Sequence, residues 1–154
     1  AKTSYGVELS ETRAHEIRDR FFRAYTGLAR WHKINMDRAR GEAFTEVRTL
    51  AGRRRLLARG DAWPRFTDLV NTPVQGTAAD AIKHALILLH GRLPEGAVIV
   101  ATIHDEIVVE CRNEDANEVL GLTKGAMLDG IAKVAKECPA EVEGGTGASW
   151  GAAK

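Results

Sequence analysis

This chain of 154 residues is short of several features that would place it quickly. It has only two cysteines, Cys111 and Cys138, with neither the spacing of a metal site nor the density of a disulfide framework. Both are therefore read as reduced thiols, and a cytoplasmic setting is expected. No run approaches the roughly 20 apolar residues of a membrane span, and no charged-then-apolar leader opens the chain. The expectation is a soluble protein with no membrane partner. Internal repeats and low-complexity segments are lacking too, and nothing in the composition points to disorder. The chain opens at Ala1 without Met and runs almost at once into helical pattern, which points to a cut-down or processed piece of something longer.

What is present is enough apolar content, 44% of residues, to bury a real core. The formal charge of +1 conceals an asymmetry. Residues 1–70 carry 15 Lys or Arg against 9 Asp or Glu, a balance of +6, whereas residues 71–154 carry 7 against 12, a balance of −5. A basic half beside a half with clustered carboxylates suits a protein that grips a polyanion and brings metal ions to it. Simple partition of surface charge is the bland alternative.

Ser10 is a good N-cap, Leu9 can staple the first turn, and Ala14, Ile17, Phe21 and Ala24 recur at helical spacing until Gly27. A second helix is predicted over 28–40, stopped by Gly41. From Phe44 to Leu57 two strand-like runs flank Ala51 and Gly52, a small hairpin or loop presenting Arg48, Arg53, Arg54 and Arg55. Those arginines are either a solvated charge run or phosphate contacts, for which Arg's planar fork is suited. Trp63 and Pro64 read as the close of a loop, with a helix resuming near Arg65.

The helix that contains Asn71 to Asp80 continues through Ile82, Leu86 and Leu89 to Gly91. Pro73 should kink it or mark its first turn. Asn71 and Gln75, four apart, share a face. Small residues from Gly76 to Ala79 admit close approach by a neighbouring element or a ligand. A last helix is predicted from Asn113 to about Glu137, with Ala116, Val119, Thr123, Met127, Ile131 and Val134 inward. Its Gly121, Gly125 and Gly130 each cost about 1 kcal/mol relative to Ala, so tight packing is expected there. A strand over 140–143 and a Gly-rich approach to Trp150 finish the chain.

Chemistry centres on Ala97 to Cys111, AVIVATIHDEIVVEC, in which His104, Asp105 and Glu106 interrupt an apolar, β-branched run. This predicts a hairpin with three polar groups at its tip and strands buried on both faces or nearly so. Carboxylates held there would be poorly solvated unless a cation joins them, and a divalent metal is the simplest candidate. A general acid–base pair and an inconsequential acidic turn remain the alternatives. Adjacent strand residues point to opposite faces, so Asp105 is the expected principal ligand and Glu106 the secondary one.

The run NTPVQGTAAD from Asn71 to Asp80, a long helix, and then IHDEIVVE from Ile103 to Glu110 on a hairpin resemble the C-terminal palm of family A DNA polymerases, the bacterial DNA polymerase I class. TLAGRRR, from Thr49 to Arg55, is similar to a segment of the same family, and the resemblance covers essentially the whole chain. It implies that His104, Asp105 and Glu106 are the family's motif C, with the Asp a ligand of catalytic Mg²⁺ ions in a two-metal site, the Glu supporting it and the His near the primer terminus. It implies that Asn71 and Gln75 contact primer–template DNA, the Gln in the minor groove, and that Arg53, Arg54 and Arg55 lie near the template strand; Arg48, presented by the same hairpin, joins them as a candidate DNA contact. Minor-groove acceptors common to all base pairs let geometry be sensed without sequence being read.

The family commonly has an Arg four residues before the motif Asn, where this chain has Thr67. Arg65 lies roughly 200° away around a helix and is no obvious substitute.

The expected fold class is α+β, mostly helical, with the motif C hairpin and a C-terminal strand in part of a palm sheet. Residues 1–70 would be fingers-derived helices with the Arg segment, and 71–154 the C-terminal palm segment. The family's upstream metal-binding Asp and its dNTP-binding fingers helix have no counterpart in the sequence, so activity is expected only with such a segment supplied in cis or in trans. Apolar surface left for other palm strands would favour self-association. A catalytically inactive nucleic-acid-binding module and a single-domain metal-dependent nuclease are the rival readings.

Overall fold

A computed structural model describes residues 9–41 and 44–153. The elements run α1 (Glu11–Ala24), α2 (Thr26–Arg40), β1 (Thr45–Arg48), β2 (Arg54–Leu57), α3 (Ala62–His90), β3 (Val98–Ile103), β4 (Glu106–Glu110) and α4 (Ala116–Val134). Among the described residues this is an α+β fold of four helices and two antiparallel two-stranded sheets, β1–β2 and β3–β4. No helix of the described residues is long and apolar enough to cross a membrane. The chain divides into two compact units, one reaching to Thr45 and including Leu57–Val70, the other Glu46–Leu56 with everything from Asn71 onward. The arginine hairpin thus groups with the C-terminal residues, and α3 runs through both units.

In the first unit the Ser10 hydroxyl caps α1 by accepting from the Arg13 N–H at 3.2 Å. Gly41 caps α2. The rings of Phe22 and His32, and of His32 and Phe66, meet edge-on with centroids 5.3 and 5.5 Å apart. Helix α1 buries none of its residues, so its apolar stripe, Ile17 and Phe21 included, stays half-exposed. Helix α3 begins earlier than the sequence suggests. Arg65 N–H makes its first backbone bond, to Asp61 O at 3.4 Å, so Trp63 and Pro64 occupy a first turn whose N–H groups have no helical acceptor. Proline's missing donor costs nothing there. Arg65 is buried and donates to Gly41 O at 2.6 Å and to Thr45 Oγ1 at 2.8 Å.

Pro73 neither starts α3 nor breaks it, and lies in the interior of the 29-residue helix. In the second unit α4 crosses α3 where both are smallest. A Cβ added at Gly130 would lie 2.5 Å from Ala81 O and 2.9 Å from Ala85 N. Ala81, Ala85 and Leu89 on α3, with Val119 and Ala126 on α4, form the buried core of this unit. The stripes predicted from bulky residues, Ile82 and Leu86 on α3 and Thr123, Met127, Ile131 and Val134 on α4, flank that core half-buried. Closest backbone approach selects the small residues, and the large ones splay to either side. Arg92 and Asp129 add an ion pair at 2.8 Å between the end of α3 and α4.

Three further expectations are corrected. The last helix ends at Val134, and the segment 140–143 makes no strand. Strands exist by pairing, and 142–150 instead lines one wall of a cleft opposite β4 and α4. Gly121 and Gly125 meet no neighbouring atom within 4 Å, so only Gly130 of the three is required by packing. Strand β3 is not buried on both faces, because Val98 and Val100 are 53% and 51% exposed. Among the described residues no third strand joins the β3–β4 sheet, and β-branched residues favour strand backbone whether or not they are covered.

Gly130→Ala should destabilise the protein by about 1–3 kcal/mol, since overpacking against backbone outweighs the gain in helix propensity. Gly121→Ala, with open space, should stabilise it by up to about 1 kcal/mol. Urea unfolding of the two variants checks the opposite signs.

Candidate functional site

The β3–β4 hairpin turns in two residues. Ile103 pairs with Glu106, leaving His104 and Asp105 as the turn, and His104 has φ of 55°. Two-residue hairpins require positive φ at their first central position to match strand twist. His is one of the residue types enriched in the left-handed region, although the backbone there is still less comfortable than elsewhere. A bulge between Ile99 and Ala101 bends β3 on the way to the tip.

The sequence predicts desolvated carboxylates at this turn, and the structure differs. Asp105 and His104 are exposed and Glu106, the first residue of β4, is half-buried. A two-residue turn projects beyond the sheet that would have covered it. Asp105, Glu106 and β4 form one wall of an open cleft of about 1060 Å³, with Val119, Thr123 and Lys124 of α4 and the segment from Val142 to Trp150 as the others. Glu143, which no local pattern singles out, brings a third carboxylate to the cleft's lining. Among the described residues no three His, Cys, Asp or Glu side chains converge as ligands of one ion. The donors present are hard carboxylate oxygens at an accessible turn, which fit Mg²⁺, an ion normally held by one or two carboxylates together with substrate phosphates and water.

Asn71 and Gln75 are both exposed on α3, separated by one turn, and the small Ala78 and Ala79 beyond them are exposed as well. The close approach expected at the small residues occurs at Gly76 and Thr77. A Cβ at Gly76 would stand 2.6 Å from Cγ2 of Thr49, so the neighbour is the β1–β2 hairpin.

That hairpin's arginines have partners inside the protein. Arg48 and Arg54 both pair with Glu46, and these two guanidiniums, Arg48 foremost, hold the Glu46 carboxyl below its ordinary value. Arg53 donates Nε to Asp80 Oδ1 at 2.7 Å and Nη2 to Gly76 O at 3.0 Å. Arg55 donates to Thr72 Oγ1 at 3.4 Å. Gly52, with φ of 87°, makes the intervening turn. Asp80, which no local pattern singles out as a partner for Arg53, has a side chain only 9% exposed. Burial pushes the Asp80 pKa up. The Thr49 hydroxyl, the Arg53 guanidinium and Lys83 more than reverse this, so the carboxyl titrates below its ordinary value. Thr67, standing where an Arg was expected, donates to Trp63 O at 3.1 Å within its own helix, while Arg65 is committed to Gly41 and Thr45.

An acidic hairpin turn, a long helix with an exposed Asn/Gln pair and an arginine hairpin packed on that helix are the features of this α+β module. Comparison with known proteins identifies its family. Residues 2–152 match the family described as DNA polymerase family A, and the chain belongs to that family. It is 35% identical over 153 residues to DNA polymerase I of Aquifex aeolicus, covering 97% of this chain and 26% of that protein. It is 36% identical over 143 residues to the thermostable DNA polymerase I of Thermus thermophilus, covering 88% and 17%. With DNA polymerase I of Pseudomonas aeruginosa the identity is 31% over 156 residues, covering 94% and 16%. The chain therefore spans about a quarter or less of the length of these relatives.

A carboxyl with a lowered folded-state pKa contributes stability above its unfolded pKa, about 3.9 for Asp, and that contribution disappears as pH falls through the lower folded value. Stability should accordingly decline below about pH 4. Asp80→Asn should cost about 2 kcal/mol at pH 7, the scale of a hydrogen bond to a charged group, and should flatten the acid limb. Urea midpoints for both proteins across pH 3–7 provide the check.

Proposed function

We propose that this chain is the C-terminal fingers and palm portion of a template-directed DNA polymerase, which transfers a nucleotide from dNTP to a primer 3′ hydroxyl. The observation that carries the reading is the turn His104–Asp105–Glu106, on a hairpin within a segment matched to the family from residue 2 to 152. Asp105 is the principal Mg²⁺ ligand and Glu106 the supporting one, completed by groups from the rest of the polymerase and the phosphates of the substrate. When bound, the metal pair lowers the pKa of the attacking hydroxyl and stabilises the leaving pyrophosphate.

The chain's own residues contribute position. The hairpin is a rigid two-strand element that holds both carboxylates at fixed separation, and the accessible turn lets a primer terminus reach them. His104 stands next to that terminus. Asn71 and Gln75 contact the primer–template, Gln75 in the minor groove, and Arg48, Arg54 and Arg55 supply positive charge along the template side, with Arg53 in the same basic segment. Each of these arginines remains partly exposed while engaging its partner within the protein. The exposed Val98 and Val100 and the open edges of the β3–β4 sheet are surface for further palm strands. In the isolated chain they should drive self-association, visible as a concentration-dependent sedimentation coefficient; a constant monomer value would count against it.

In the polymerase that carries this chain, Asp105→Ala should lower primer extension by roughly a thousandfold or more, the scale of losing a metal ligand that acts in the transition state. Primer–template affinity should change little. Single-turnover extension and equilibrium binding measured on one preparation separate the two quantities. Near-normal turnover of Asp105→Ala would refute the assignment.

A further inference from the structure

Pro73 removes a backbone donor from the interior of α3 just where Asn71 and Gln75 are displayed. A proline-weakened helix turn is a poor platform for two side chains that must meet a duplex in fixed register. The structure supplies a brace at that point, and all of it comes from the β1–β2 hairpin. Arg53 spans Asp80 Oδ1 and Gly76 O. The Leu50 N–H donates to Thr77 Oγ1 at 2.9 Å, and the Thr77 hydroxyl in turn donates to Pro73 O. Arg55 reaches Thr72, and the missing side chain of Gly76 lets Thr49 close against the helix.

The contacts at Gly76, Thr77 and Asp80 lie away from the displayed residues, and Thr72 sits between, roughly 100° from Asn71. At 100° per residue, Gln75 projects roughly 40° from Asn71, whereas Gly76, Asp80 and Thr77 project roughly 140°, 180° and 240° from it. The hairpin is itself tied at its own ends, with Arg48 and Arg54 sharing Glu46 and the Thr49 N–H donating to Arg53 O at 3.0 Å.

We infer that Arg53 and Asp80 are positioning residues, forming a splint that holds the proline-containing turn of α3 so that Asn71 and Gln75 meet the primer–template duplex. The inference rests on the DNA-contact reading of Asn71 and Gln75. It assigns Arg53 a different task from a phosphate contact, because its Nε and Nη2 donors engage a carboxylate and a backbone carbonyl at once. A lysine keeps the charge and cannot make that fork.

The two tasks differ in what conservative changes do. In the polymerase that carries this chain, primer–template affinity is measured over a salt series for Arg53→Ala, Arg53→Lys, Asp80→Asn, Thr77→Val, Gln75→Ala and the double variant Arg53→Ala/Gln75→Ala. The splint predicts that Arg53→Lys and Asp80→Asn weaken binding as much as Arg53→Ala, roughly tenfold, with an unchanged slope of affinity against salt. Adding Arg53→Ala to Gln75→Ala should cost little more, since both remove one arrangement.

Thr77→Val, which deletes a hydroxyl at nearly constant volume, should shift affinity in the same direction and guards against an arginine variant that fails to fold. Wild-type affinity for Arg53→Lys, with a salt slope smaller by about one in Arg53→Ala, would make Arg53 a phosphate contact and overturn the inference. Tighter binding by Asp80→Asn, as expected from mere loss of a negative charge near DNA, would overturn it as well. A neutral Gln75→Ala would instead refute the DNA-contact reading itself and the inference with it.

Discussion

The contact on which the second unit depends is the crossing of α4 over α3 at Gly130. No side chain fits between Gly130 and the backbone of Ala81 and Ala85, so the two helix axes approach as closely as backbone allows. Ala126 and Val119 are buried along the same side of α4. The remaining flank of α4 becomes one wall of the cleft into which Asp105 and Glu106 look. A larger residue at 130 would shift that wall relative to the hairpin, because helix interiors and their contacts are close-packed and transmit displacement.

Helix α3 carries different contacts around and along its length: the arginine hairpin packs at Gly76, Thr77 and Asp80, α4 crosses further on at Ala81 and Ala85, and Asn71 and Gln75 are exposed to solvent. The hairpin contacts explain why a proline is tolerated in the middle of so long a helix. The lost backbone bond is offset by hydroxyl, carbonyl and carboxylate contacts on the side facing the arginine hairpin. The arginine hairpin is therefore as much part of the scaffold as of any charged surface. Its four guanidiniums are spread over two carboxylates, a carbonyl and a hydroxyl of the same chain.

At the hairpin tip, exposure and burial divide two adjacent acids. Asp105 extends into solvent from the turn, and Glu106, first in β4, lies opposite Ile103 and is half-covered. In the proposed role this gives the first acid to the metal and leaves the second to support it. The positive φ of His104 is the local condition for a turn tight enough to present both.

The sequence by itself determined the local elements. The Ser10 cap, the Gly41 stop, the strand pair around Gly52 and the polar tip at 104–106 all lie where composition and periodicity put them, because caps, turns and β-branched runs act over a few residues. It also carried the family, through two motifs separated by a helix. Tertiary structure decided which residues are core: Leu89 and Val119 of the predicted stripes are buried, but Ala81, Ala85, Ala126 and Gly130 take the buried places expected of Ile82, Leu86 and Met127. It left β3 exposed on one side, denied a strand to 140–143 and paired Arg53 with Asp80 across 27 positions of chain. Periodicity records which residues are apolar, but the choice of closest contact falls to those small enough for backbones to meet. An ion pair between distant positions leaves no local trace, since neither partner's neighbours in the chain reveal what will lie against it.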